Sequence, residues 1–288
     1  MSDCASTSDR PAFAFGRNWA RFARHHLDDA VLAIAERSLV EFLGTPSLAG
    51  RSFLDVGCGS GLFSLAAYRL GASRVVSFDV DPDSVACCRD LRRRAGDPSH
   101  WELCEGSVLD TAFMSRLDPA DVVYSWGVLH HTGRMWDAIQ AAASRIAPGG
   151  VFYLAIYNRA QRWRFHDDGS FGPSSFWLRE KRLYNALPTL LQRGIEGMFA
   201  ALWSGLTLLR GGDPFREMRD HRLRTRGMSW IVDLRDWLGG YPYEFASVEE
   251  IKSYCCGRLG LELERLLCRS GTRNNEFLLR RPGPVTSS

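Results

Sequence analysis

Two carboxylates and three glycines stand in a spacing that can hold a nucleoside. Asp55 opens the run Asp55-Val56-Gly57-Cys58-Gly59-Ser60-Gly61, and Asp79 closes the apolar stretch Arg74-Val75-Val76-Ser77-Phe78, 18 residues past Gly61. Glycine at Gly57, Gly59 and Gly61 allows a tight turn and close ligand approach, because no Cβ intervenes. A glycine turn between a strand and a helix is how an open α/β sheet presents backbone N–H groups to a nucleotide-like ligand. A carboxylate at the next strand end, Asp79, can accept hydrogen bonds from both ribose hydroxyls. The dinucleotide pattern G-x-G-x-x-G would need glycine at position 62, which is Leu62. It would also gain nothing from Asp55, which can hold an ammonium group. An adenosine carrying an amino acid fits better.

Further on, His130-His131 follows the apolar run Asp121–Trp126, at the strand edge where open-sheet ligands bind. An unperturbed imidazole titrates near pH 6.5, which suits a general base taking a proton from a hydroxyl or amine. Capping or packing histidines would look the same in sequence. Tyr157 and Asn158 end a later apolar run, Tyr157 as a catalytic candidate and Asn158 as an acceptor contact. Tyr241, Tyr243 and Glu244 sit in a Gly-Gly-Tyr-Pro-Tyr-Glu segment that can fold over an acceptor. Trp19, in the polar and aromatic stretch Phe15–Trp19, is a candidate lid residue over the ligand.

These residues need a scaffold that brings strand ends together. Helical patterning runs from Phe13 to Leu43, and a strand at Ser52–Leu54 enters the glycine turn. Asp81-Pro82 reads as an N-cap followed by proline at the first helical position, starting a helix that stops at Gly96. Further strands are expected at 101–107, 121–126 and 151–157, with a helix from Met135 to Ile146 and a break at Ala147-Pro148-Gly149-Gly150. Strands alternating with helices predict an α/β, doubly wound, mostly parallel sheet. Ser247-Val248-Glu249-Glu250 is a capping box opening a helix to about Leu259, before two final antiparallel strands at 261–269 and 276–281. Four parts follow: a tail and N-terminal helical lid (1–50), a ligand-binding core (51–157 and 247–281), a helical cap inserted after strand five (158–246), and a tail (282–288). The cap is too long for a simple loop.

The 288 residues, 45% apolar and 24% charged with net charge +3, describe a globular chain without the charge excess that would imply nucleic acid. Only Lys181 and Lys252 are lysine among 36 basic residues. Eight cysteines without C-x-x-C spacing and seven scattered histidines give no metal-site pattern and suit a reduced, cytoplasmic setting. The most apolar run, Gly197–Leu209, is too short to span a bilayer. Its stripe Phe199, Leu202, Trp203, Leu206 and Leu209 reads as core, with membrane contact as the alternative. Residues 159–182 and 210–226 each carry +3, as solvated faces or as surfaces for an anionic partner. Oligomeric state is not fixed by sequence.

Taken together, the Asp55-x-Gly57-x-Gly59-x-Gly61 turn, Asp79, Glu105-Gly106-Ser107-Val108, Asp121 to His131 and Pro148-Gly149-Gly150 resemble the class I S-adenosylmethionine-dependent methyltransferases. Within that class the chain is most similar to the branch of ubiquinone-biosynthesis and natural-product small-molecule methyltransferases. Asp236 to Glu244 resembles a feature of that branch. The resemblance implies a Rossmann-like fold and S-adenosyl-L-methionine as cofactor. It places Asp55 below the methionine ammonium, Gly57, Cys58, Gly59 and Gly61 along the amino acid and ribose, and Asp79 with Val80 at the ribose. Ser107 and Val108 would flank the adenine, although many members carry Asp where Ser107 stands, and Ser125 or Trp126 would line the methionine side. The expected reaction is methyl transfer to a small-molecule hydroxyl or amine. RNA, a carrier-bound substrate, or other chemistry on the same cofactor are the alternatives.

Overall fold

The computed structural model describes residues 29–166, 171–224 and 229–283. Trp19 and most of the expected lid therefore lie outside the described residues; the described chain begins with α1, Asp29–Leu43. Then follow β1 (Ser52–Val56), α2 (Leu62–Arg69), β2 (Arg74–Asp79), α3 (Pro82–Arg94), β3 (Trp101–Glu105), α4 (Thr111–Arg116), β4 (Ala120–Trp126), α5 (Met135–Ala143) and β5 (Ile146–Tyr157). Four helices come next, α6 (Ser174–Ala186), α7 (Thr189–Leu209), α8 (Pro214–Arg224) and α9 (Trp230–Gly239). The short α10 (Val248–Lys252), continued by a π-helical turn, leads to β6 (Glu262–Leu267) and β7 (Asn274–Arg280).

Seven strands form one sheet in the order β3-β2-β1-β4-β5-β7-β6. β1 to β5 are mutually parallel, and β7 runs antiparallel to both β5 and β6. The mostly parallel, doubly wound sheet is the one the alternating pattern predicts. Successive side chains point to opposite faces, and both faces are covered. Phe53, Trp101, Tyr124 and Tyr153 pack under α1, α2 and α3. Leu54, Val56, Phe152 and Leu154 pack against α5 and the α10 turn. Strands buried on both sides have no use for polar alternation, which is why they read as continuous apolar runs.

Three boundaries differ from the sequence pattern. α5 stops at Ala143, and Ile146 already pairs with Ala120 as the start of β5. The register then shifts to Val122 against Val151, so Pro148-Gly149-Gly150 forms a bulge within the strand rather than a break before it. A Cβ on Gly150 would stand 2.9 Å from the carbonyl oxygens of Ala147 and Asp121, so only glycine fits the bulge. The expected helix to Leu259 becomes a five-residue α-helix and a π turn at Ser253–Arg258. The capping box at its start is present, with Ser247 and Glu250 bonded reciprocally.

Candidate functional site

Because β1 to β5 are parallel, their carboxyl ends share one edge of the sheet. The strand order reverses between β1 and β4, the place where open α/β sheets bind ligands. Gly57, Asp79, Ser107, Gly127 and Tyr157 all lie at or just beyond that edge.

The glycine turn is held from within. The N–H groups of Gly57 and Cys58 both donate to the Phe78 carbonyl at 2.9 Å, and that of Gly61 donates to the Cys58 carbonyl at 2.8 Å. Gly59 N–H donates to Asp79 Oδ2 at 2.9 Å. The sequence suggested that these N–H groups face a ligand; four of them are bonded inside the protein instead. Gly57 and Gly61 adopt φ of 76° and 82°. An added Cβ would lie 2.3 Å from Val128 Cγ1 at Gly57 and 2.5 Å from Cys88 Sγ at Gly61. Glycine is thus required here by backbone hand and by protein packing, and the turn arrives at the edge pre-shaped.

Asp79 is partly buried. Its Oδ1 accepts from Asp81 N–H at 2.9 Å and its Oδ2 from Gly59, which fixes the carboxylate plane and leaves each oxygen a further lone pair. Burial raises its pKa against the opposing effect of these bonds. Val80, the next residue, is exposed. Ser107 is partly buried with Oγ accepting from Leu109 N–H, and Val108 is buried in the core beside it.

Asp55 lies beneath the turn with its carboxylate bonded to an internal partner. It is 2% exposed, and its Oδ2 accepts from Ser64 Oγ at 2.5 Å. Ser64 in turn accepts from Ser77 Oγ at 2.7 Å, which accepts from Trp101 Nε1 at 2.9 Å. This relay ties β3, β2, α2 and β1 together beneath the turn. Burial pushes the Asp55 carboxyl up to about 7. Cys58 likewise turns its thiol inward to Cys88, whose hydrogen bond together with burial raises its pKa well above the ordinary thiol value. Ser125 is fully buried and donates to the Val56 carbonyl, stitching β4 to β1 rather than lining the edge; Trp126 keeps partial exposure.

On the β4–β5 side the structure gathers a box of rings. His130 and His131 lie in the 3₁₀ turn Leu129–His131, with ring centroids 4.4 Å apart. Tyr157 stands 4.1 Å from His130 and 5.6 Å from His131, and Tyr243 is 5.1 Å from Tyr157. His131 Nδ1 lies 2.6 Å from the Pro242 carbonyl, which can only accept. Nδ1 therefore carries the proton and Nε2 the lone pair. Tyr157 N–H points at His130 Nδ1 at 3.4 Å, assigning the proton of that fully buried ring to Nε2. Burial lowers the pKa of both rings, His131 to about 3, with His131 and Lys181 adding to the effect at His130. The imidazoles are neutral at every physiological pH, and His131 is a weaker base than an unperturbed ring. Burial also pushes the Tyr157 phenol up, so it stays protonated as a donor.

Lys181, from α6, completes the box and was not singled out as a site residue from the sequence. It is 2% exposed, donates to the Trp237 carbonyl, and places Nζ 5.0 Å over the Tyr243 ring and 6.0 Å over the Trp237 ring. Trp177 packs against Trp237 with centroids 4.2 Å apart. Burial pushes the ammonium pKa down. The available signal was composition: Lys181 is one of two lysines among 36 basic residues.

Three expected acceptor contacts have other tasks. Glu244 accepts from Met135 N–H at 3.0 Å and caps α5, while its own N–H donates to the His130 carbonyl. Asn158 donates to the Gly271 carbonyl at 2.9 Å and accepts from Asn275 Nδ2 at 3.0 Å, closing the strand end. Tyr241 lies under the Arg182 guanidinium at 5.9 Å. Two cavities, of about 480 Å³ beside Trp136 and Tyr254 and about 240 Å³ beside Arg162 and His166, lie away from the glycine turn. The arrangement of hydrogen-bonding groups, not cavity size, singles out the strand edge. Among the described residues no group of three or more metal-ligating side chains occurs.

A mostly parallel, doubly wound sheet with a glycine turn and a fixed carboxylate at its edge defines a Rossmann-like α/β fold. The profile of a methyltransferase domain family matches residues 21–196, and the chain belongs to that family. The resemblance read from Asp55 through Gly150 is borne out at that level. The chain is 39% identical over 135 residues to a ribosomal protein L11 methyltransferase of Azotobacter vinelandii, covering 46% of this chain and 43% of the relative. It is 30% identical over 120 residues to a ubiquinone biosynthesis O-methyltransferase of a Methylobacterium species, covering 42% and 46%. The chain thus spans under half the length of these relatives. Magnesium protoporphyrin IX methyltransferase from Synechocystis, solved with bound SAH, superposes with a TM-score of 0.53 at 13% identity, over 92% of this chain and 93% of that one; the likeness is one of fold.

Proposed function

We propose that this chain transfers a methyl group from S-adenosyl-L-methionine to a hydroxyl or amine of a small-molecule acceptor. The observation that carries the reading is Asp79. Its carboxylate is locked by Gly59 and Asp81 at the β2 end, beside a side-chain-poor turn, with lone pairs left for a ribose diol. S-adenosyl-L-methionine, when bound, supplies a methyl on a sulfonium, already activated for displacement.

The residues present fit that cofactor. Asp79 would hold the ribose, the turn from Gly57 to Gly61 would lie along the amino acid and sugar, and Ser107 with Val108 would flank the adenine. The protein contributes alignment and a site with little water, and alignment alone is worth roughly 7–11 kcal/mol of a barrier. His131 Nε2 accepts a hydrogen bond from the acceptor hydroxyl or amine, Tyr157 donates one, and Lys181 supplies a buried positive charge that favours a developing anion. The helical segment from Asn158 to Ala246 forms the acceptor side. The similarity to a ribosomal protein L11 methyltransferase supports a second reading, in which the acceptor is a protein rather than a small molecule.

Calorimetric titration with S-adenosyl-L-methionine and its demethylated product tests the cofactor half. Micromolar affinity that falls at least a hundredfold in Asp79→Ala supports the reading, and absence of heat with both ligands ends it. Transfer of labelled methyl to extracted small molecules, as opposed to protein or RNA, separates the acceptor classes.

A further inference from the structure

The long helix α7 is apolar on the side that faces away from the protein. Its inward side holds Glu196, which accepts from Arg235 Nε at 2.8 Å and from the Tyr184 hydroxyl at 3.0 Å, and buried Thr207. Phe199 and Trp203 are partly buried and reach Trp237 and Trp230. The sequence stripe read as core therefore splits, because Leu202, Leu206 and Leu209 point outward. They are 59%, 52% and 86% exposed, and Leu190, Leu191 and Met198 join them. At 100° per residue all six fall within one arc opposite Glu196 and Thr207. Gly194 and Gly205 lie in the middle of that arc, where an added Cβ would meet nothing within 4 Å. From Gly197 to Leu209 the helix carries no charge at all. A 21-residue helix is about 31 Å long. A helix that is apolar on both sides is expected to be covered on both.

The surroundings of this face are basic. Arg193 and Arg210 are exposed at its two ends. The next helix, α8, extends the apolar surface with Phe215, which is 81% exposed, beside exposed Arg216 and Arg219. Of the nearby acidic groups, Asp213 caps α8, Glu217 lies inward beside Thr207, and Asp220 is shared by Arg216 at 3.6 Å and Arg219 at 3.8 Å, so the segment 210–226 keeps its net charge of +3. Face-to-face association of two copies would set arginine rims against each other with no carboxylate on the face to answer them. Leucines in one plane, an aromatic at the margin and arginines at the rim match instead an interfacial helix lying on anionic lipid. No helix among the described residues is long and apolar enough to cross a membrane, so contact would be with the surface only.

We propose that the outward face of α7, continued by Phe215, docks the protein onto an anionic phospholipid surface. The test is co-sedimentation of the full chain with phosphatidylcholine vesicles, with and without phosphatidylglycerol, at low and high salt. The wild type is expected to pellet with the anionic vesicles and to be released by salt. Leu202→Glu combined with Leu206→Glu is expected to lose at least tenfold in partitioning while keeping the wild-type melting temperature and cofactor titration. Combined Arg210→Gln, Arg216→Gln and Arg219→Gln, all at exposed positions where the fold is not at stake, is expected to weaken anionic binding by about fivefold per arginine. Absence of wild-type pelleting, or equal pelleting with pure phosphatidylcholine, overturns the proposal. So does a wild-type dimer in light scattering that the leucine variant splits, because the face then belongs to a second copy. Binding that appears only after residues 1–28 are removed would show the chain covering its own helix, with the same consequence.

Discussion

The edge proposed to hold the nucleoside and the ring box proposed to hold the acceptor are built by opposite means. At the edge, hydrogen bonds over-determine a short backbone: Gly57, Cys58, Gly59 and Gly61 are each bonded inside the protein, and Asp79 is held by two N–H groups. In the box, rings determine position by contact, and burial suppresses charge on His130, His131 and Tyr157. The first region holds one carboxylate in a fixed orientation at the sheet edge. The second offers neutral polar groups and one lysine within an aromatic wall, which suits an acceptor whose proton must leave in a dry place. One half reads as precise recognition, the other as adjustable chemistry.

The largest contrast comes from breaking the edge. Asp79→Ala removes the proposed ribose acceptor and the bond that shapes Gly59, and each charged hydrogen bond is worth about 1.5–3 kcal/mol. Cofactor-product affinity is expected to fall on the order of 10²- to 10³-fold. Asp79→Asn, which keeps an acceptor oxygen for Gly59, should recover part of that loss. A variant that binds as the wild type does would remove Asp79 from the site.

The second test acts on the box and reads stability against pH. Both histidines are buried neutral, so their folded pKa values lie below the unfolded value near 6.5. The unfolded chain then binds more protons in acid. Stability from this source is present above about pH 6.5 and is lost as pH falls towards 3. Melting curves from pH 7.5 to 4.5 should show the wild type losing on the order of 3 kcal/mol more than the double variant His130→Gln, His131→Asn. Parallel curves for the two proteins would mean the rings are not held neutral.

Much of the edge was legible because its determinants are local. A glycine at a left-handed φ, an Asp-Pro helix start and a carboxylate at a strand end each leave a mark within a few residues. What local pattern could not show was direction. Asp55 and Cys58 stand in the right run but turn inward, towards Ser64 and Cys88, and nothing short-range encodes that. The box was legible only in halves. His131, Tyr157 and Tyr243 stand out one by one in the sequence, while Lys181 arrives from a helix 24 residues beyond Tyr157, and its meeting with Tyr243 is a tertiary event. The internal bonds of Glu244 and Asn158 were hidden for the same reason: their partners Met135, Gly271 and Asn275 are brought to them by the fold. The apolar stripe of α7 was visible in sequence, but which half of it faced outward was not.

Lys181→Met sharpens the difference between stability and chemistry. Its folded pKa is pushed below the ordinary value of 10.5, so the unfolded chain holds the proton more tightly. The wild type should therefore gain stability as pH rises through the range just below 10.5, and the methionine variant should not. The expected difference is about 1–2 kcal/mol in melts between pH 7.5 and 10. At pH 7 the variant should be as stable as the wild type or more so, since an apolar side chain of similar length replaces a buried charge. Methyl transfer should nevertheless fall at least tenfold if, as proposed, Lys181 supplies the positive charge on the acceptor side. A variant less stable at pH 7 and fully active would make Lys181 a packing residue.

The smallest effect lies where box and frame meet. Glu244 caps α5 through Met135 N–H and anchors the loop that carries Pro242, the hydrogen-bond partner of His131. Burial raises the Glu244 pKa while the bonds from Met135 and Gly133 oppose it. Glu244→Gln keeps an acceptor oxygen but removes the charge at the helix N-terminus, which is worth about 0.3–1 kcal/mol. The melting temperature should drop by only a few degrees, and cofactor-product affinity should not change, because the edge is held by its own hydrogen bonds. Transfer activity should fall only a few-fold, through a loosened His131. If cofactor affinity fell together with activity, the two regions would be mechanically coupled through α5, and the division between a fixed edge and an adjustable box would have to be redrawn around that helix.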